Sequence, residues 1–126
     1  MYTNQMHSRF TPGTDLTAVA NVAVTGKTFV AIAAPMQSGN IVVATAEAAG
    51  NTCGVAKYDA EEGTLVGVAR GSSRVVTITA GAPITAGTPV EVGEGGTAVP
   101  ATTGIIVGYA VDTAVAEADA LISLAH

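Results

Sequence analysis

A chain of 126 residues with 48% hydrophobic content is about one domain of sequence, with enough apolar mass for a core. Its formal charge of −5 and its five Lys and Arg residues argue against a nucleic-acid binder, because neutralising phosphates needs clustered cations. The lone Cys53 rules out an intrachain disulfide, and no apolar run approaches the ~20 residues of a membrane-spanning helix.

Residues 1–15 read as an extended N-terminal arm and residues 16–126 as the body. The arm opens MYTNQMHSRFTPG, polar apart from Tyr2, Met6 and Phe10, which are spaced by four. A helix this short is marginal in water, and Pro12-Gly13 ends the segment, so an arm that orders on contact is expected. It lacks the basic-then-apolar layout of a signal peptide, and with the single cysteine this points to a soluble product made inside a cell.

Leu16 to Val24 alternates loosely and is predicted as a strand. Thr25-Gly26-Lys27 is a turn, and Thr28 to Ala33 the next strand. Pro35 and Ser38-Gly39-Asn40 break the chain before a strand at Ile41 to Ala46. The alanines of 44–49 invite a helix, but Gly50-Asn51 stop it within two turns and a loop is expected. Gly54 to Ala69, GVAKYDAEEGTLVGVA, reads as a hairpin reversed at Asp59 to Gly63. Arg74 to Thr79 alternates cleanly with Ile78 and Val76 on one side, Pro89 marks an edge or a strand start, and Ile105 to Val111 and Ala120 to Ala125 close the body.

The hairpin is written twice. Gly108-Tyr109-Ala110-Val111, Asp112-Thr113-Ala114 and Ala120 to Ala125 repeat its sense, with Ser38 to Val43 and Ala86 to Val92 as matching upstream pieces. From Phe29 onward the chain reads as two copies of one β unit, the second lengthened around Gly93 to Thr103. Short β runs separated by Gly and Pro predict an all-β body, a small barrel or sandwich of two repeated units. Aromatics are 4% and tryptophan is absent, so each Ala or Val contributes modestly, at about 25 cal/mol per Å² buried. Such a body is expected to gain stability by oligomerising or binding a partner.

No catalytic constellation stands out. His7 and His126 sit at the termini, and Cys53 has no histidine near it in sequence. Asp59, Glu61 and Glu62 cluster in one turn and Asp112, Glu117 and Asp119 in its copy, without the D-x-D-x-D-G spacing of a calcium loop. They read as solvated turn acids, each leading aspartate bonding its own turn backbone. Gly67 to Ser73 is no phosphate loop, since no G-K-[ST] follows. No cofactor or metal is therefore expected. Arg70 and Arg74 flank that turn as a near pair of arginines suited to an acidic partner surface.

In the order Pro12-Gly13-Thr14-Asp15, Ala23 to Val30, Gly54-Val55-Ala56, Gly63 to Ala69, Ile84 to Val90, Val107 to Ala110 and Ala118-Asp119-Ala120, the chain resembles phage capsid decoration, or cement, proteins of the DUF2190 type. The resemblance implies a structural protein on the outer surface of the expanded head. There it would bind the major capsid protein as a homotrimer and stabilise capsomer junctions, without enzymatic activity. The arm's first ten residues lie outside the matched part; from its own bulky and basic side chains, Tyr2, Met6, Arg9 and Phe10 are expected to contact the capsid, with Arg70 and Arg74 as further contacts. The rival expectation is a β-barrel module for host-cell glycans, which would use Tyr58 and Tyr109.

Overall fold

The computed structural model describes residues 3–10 and 13–126, and their regular structure is all β apart from one 3-10 turn at Glu94–Gly96. Ten strands fall into two sets of five. The first set is β1 (Asp15–Ala20), β2 (Phe29–Gln37), β3 (Asn40–Thr45), β4 (Gly54–Ala56) and β5 (Leu65–Ala69). The second is β6 (Val75–Thr79), β7 (Pro89–Val92), β8 (Ala98–Pro100), β9 (Gly108–Ala110) and β10 (Asp119–Leu124).

The two sets are wired alike. The first closes as a barrel in the order β1-β3-β2-β4-β5, and the second forms a sheet in the order β6-β10-β9-β7-β8. The β1–β5 pairing is matched by β6–β10, β2–β4 by β7–β9, and β4–β5 by β9–β10, all antiparallel. Smaller features repeat as well. Val24 bridges Ala60 as Ile84 bridges Ala114, and Gly26 N–H donates to Asp59 Oδ1 as Ala86 N–H donates to Thr113 Oγ1. The expected duplication is present, but its frame differs from the sequence reading. It begins at β1, and the counterpart of Ala86 to Val92 is Gly26 to Ile32, with Ser38 to Val43 matching the β8 region instead.

The length difference also runs the other way. The hairpin of β2 and β3 spans strands of 9 and 6 residues, while β7 and β8 have 4 and 3. The second unit is therefore shortened, and the glycines of 93–96 turn tightly where the first unit extends a ribbon. Register shifts in β2 between Ile32 and Gln37 leave Ile32, Pro35 and Met36 exposed at the ribbon's outer half. Two predicted strands are also trimmed. β1 ends at Ala20 because Val24 exchanges two backbone hydrogen bonds with Ala60, which turns 21–24 away from the barrel wall. β9 covers only Gly108–Ala110, and Ile105 and Ile106 are exposed.

Period-two burial builds the first core. Leu16, Ala18 and Ala20 of β1 meet Val30, Ile41, Val43, Ala56, Val66 and Val68 inside the barrel. The second core differs in one respect. β1 and β3 close the first barrel with a three-pair parallel ladder, but their counterparts β6 and β8 meet only through the bridge Ala80–Ala98. Phe29, Ala46 and Val55 of the first unit join the core built from Ile78, Ile84, Val90, Val92, Ile122 and Leu124. The second unit thus wraps the flank of the first, and the fully buried Phe29 ties them together.

Candidate interaction surface

Strand register fixes which side chains share the outer face of the second unit. Pro89 pairs Tyr109, Tyr109 pairs Ser123, and Ser123 pairs Val75, which makes one row across β7, β9, β10 and β6. The adjoining row runs from Val111, whose N–H donates to the Leu121 carbonyl, through Leu121 to Thr77. Tyr109 is 53% exposed and Val75 51%, and Leu121, Val111 and Ile106 are also open. A shallow hollow of about 320 Å³ lies among Pro89, Ile106, Tyr109 and Leu124, and the buried Ser123 is part of its lining. A contiguous apolar patch on a protein surface commonly marks a place of contact with another macromolecule.

A second feature borders this face at Val75. An open groove of about 360 Å³ runs between the units, lined by Ala56, Ala69, Val76 and Thr77 and by the cations Lys27, Lys57 and Arg74. Three of the chain's five basic residues therefore gather in a protein of net charge −5. Lys27 reaches Asp119 at 2.8 Å, while Asp15 takes both Lys57 at 2.8 Å and Arg74 at 3.1 Å. The Lys57 and Arg74 hydrogen bonds hold the Asp15 carboxyl below the usual carboxylate range. Arg74 also donates to the Thr14 carbonyl at 2.6 Å, which ties the base of the arm to β6.

The two arginines expected to act together are placed apart. Arg74 lines the groove, and Arg70 lines a separate hollow of about 310 Å³ with Ile32, Asn51, Cys53 and His126. Burial pushes the Cys53 thiol up, against a smaller opposing pull from Arg70. A His126 ring nitrogen lies 3.1 Å from the Thr52 carbonyl oxygen. Along the arm, Met6 is 82% exposed, Arg9 is exposed, and Tyr2 lies outside the described residues. Phe10 does have a place on the body, because it packs half-buried against the first barrel's core.

The turn acids are dispersed. Among the described residues no three His, Cys, Asp or Glu side chains converge. Asp59 was expected to bond its own turn, but its Oδ1 accepts from Gly26 N–H at 2.8 Å across to the other loop. Asp112 does stay local, accepting from Thr113 N–H. The acid that sequence reasoning missed is Glu91, buried on β7 and accepting from the Thr102 hydroxyl at 2.8 Å and from Thr102 N–H. Those bonds, the hydroxyl first, and a weaker one from the Gly104 backbone keep its carboxyl low. Glu91 pins the loop that leads to Ile105 and Ile106. Its position mid-strand between Val90 and Val92 was the available signal.

No protein-family model matches the chain. No curated protein matches it either. Among solved structures, the chain is similar to the N base of the head fiber gp8.5 in bacteriophage phi29, with a TM-score of 0.75 and 25% identity over 88% of this chain and 92% of that one.

Proposed function

We propose that this protein is a structural component of a phage virion, and more narrowly a decoration protein on the outer surface of the expanded head. The observation that carries the reading is the likeness to the phi29 head-fiber base, which extends over nearly the whole of both chains. The sequence resemblance to decoration proteins of the DUF2190 type narrows it to cementing. In this reading the protein forms a homotrimer and binds the major capsid protein. It works by shared contact area and has no enzymatic role.

Two features of the body support an adhesive role. The exposed rows around Tyr109 and Leu121 are an apolar face on an otherwise acidic protein, and the arm leaves the body beside the cationic groove, where Arg74 holds Thr14. Tyr2, Met6 and Arg9 then serve as reaching contacts, with Phe10 seated on the first barrel as the arm's anchor. Three arms on one trimer raise avidity by effective concentration, about 10²-fold or more over one arm. A cement present at ~100 times its dissociation constant adds about 2.7 kcal/mol per site to the lattice it binds.

Co-sedimentation with expanded empty heads tests this reading, with a glycan array as the competing assay. The protein is expected to pellet with the heads, and removal of residues 1–10 to weaken that binding while leaving the body folded. Retention on glycans with no affinity for heads would replace the decoration reading by the host-surface one.

A further inference from the structure

We propose that the outward edge of β6 at Val75 and Thr77 is a strand-addition site, which takes an extended acidic segment of a partner protein along the groove between the units. The two units differ along this edge. β1 is flanked by β5 on one side and by the parallel β3 on the other. Among the described residues its counterpart β6 pairs with β10 alone, and the equivalent parallel contact has shrunk to Ala80–Ala98.

Backbone register says which groups are available. Leu124 N–H donates to the Arg74 carbonyl and Ala80 N–H to the Ala118 carbonyl, so even-numbered residues of β6 face β10. Antiparallel pairs alternate, which turns the N–H and C=O groups of Val75, Thr77 and Thr79 outward. Thr79 N–H is taken by the Lys27 carbonyl at 2.9 Å, and this closes the edge at that end. Among the described residues Val75 and Thr77 have no backbone partner on that side, and both line the 360 Å³ groove. Edge recognition of this kind draws affinity from main-chain hydrogen bonds and selectivity from the flanking side chains.

Charge selects the occupant. The groove holds Lys27, Lys57 and Arg74 against Asp15 and Asp119, so one cation is left in excess beside the open edge. A carboxylate-bearing strand suits it. The chain's own arm does not, since before Asp15 it carries Arg9 and no acidic residue. The site goes beyond the decoration reading and stands whatever the partner's identity.

The test uses the full chain and two short synthetic peptides of alternating valine and threonine, one capped at both ends by aspartates and the other by lysines. Amide exchange at Val75 and Thr77 is expected to slow at least about tenfold with the acidic peptide, with the Thr79 amide unchanged as the internal control. The lysine-capped peptide and the Lys57→Gln variant should each bind more weakly. Thr77→Pro removes one outward N–H and should weaken binding about fivefold. Should that variant not fold, an acidic peptide N-methylated on its β6-facing amides should fail to bind the unaltered protein. Unchanged exchange, or equal binding of both peptides, would overturn the proposal and leave the cations as a guard against edge pairing. Heads that bind the protein without protecting Val75 and Thr77 would sink the strand site alone. Peptide binding without head binding would sink the decoration reading alone.

Discussion

Two positions of one matching row are buried in the first unit and bare in the second. In the first unit the row is Phe29, Val55, Ala69 and Asp15, paired in that order across β2, β4, β5 and β1. Phe29 and Val55 of that row are covered by the second unit's core, Ala69 is also buried, and Asp15 is open. In the second unit the row is Pro89, Tyr109, Ser123 and Val75, and three of the four are open to solvent. A duplicated fold need not repeat its surroundings. The first copy spends its outer face on internal cohesion, while the second keeps the matching face free for something outside the chain.

The sharpest way to break this comparison is to truncate the buried member and its exposed counterpart. Phe29→Ala leaves a cavity between the units and is expected to lower unfolding stability by about 3–5 kcal/mol, read by denaturant titration. Pro89→Ala in the matching position should change it by less than about 0.5 kcal/mol. Equal losses at the two sites would mean that the faces are not used differently.

A second pair tests whether the units are equivalent where they should be. Gly54 and Gly108 open β4 and β9, and an added Cβ would lie 2.6 Å from the Ala69 carbonyl oxygen in the first case and 2.5 Å from the Ser123 carbonyl oxygen in the second. Backbone must move at both sites, so Gly54→Ala and Gly108→Ala should each cost about 1–3 kcal/mol by the same titration. A large cost at one and none at the other would show that the copies tolerate strain differently.

The pinned loop of the second unit has no matching carboxylate in the first, where Ala31 occupies the corresponding position between Val30 and Ile32. Glu91 has a folded pKa below its unfolded value, so its contribution is present above the ordinary value of about 4.5 and is lost as pH falls through the folded pKa. Glu91→Gln should therefore lower stability at neutral pH and flatten the acid limb of a stability-versus-pH curve. An unaltered acid limb would remove Glu91 from the account. The smallest expected effect on folding is at the bare face. Tyr109→Ala and Leu121→Asp should unfold within about 0.5 kcal/mol of the parent yet weaken co-sedimentation with heads. A variant that still pellets fully would remove that face from the binding account.

The all-β class, the duplication and most strand centres were legible from residue pattern alone. Arg74 to Thr79 places Ile78 inside and Val75 outside as its alternation predicts, because period-two burial is a local property of the chain. The frame of the repeat was not legible. Ser38 to Val43 and Gly26 to Ile32 both offer a glycine followed by apolar residues, and only hydrogen-bond partners far away in sequence tell them apart.

What tertiary structure alone decided is which apolar residues are covered. Val55 and Tyr109 occupy matching positions in their copies, and nothing local states that Val55 is 3% exposed and Tyr109 53%. That difference arises because β6 separates from β8 and Phe29 takes the space between the units. Such an event depends on how two packed bodies meet, which no window of a few residues encodes. Sequence determined two β units with an acidic surface and a cation-bearing turn; the fit between them determined which face, and which strand edge, was left open.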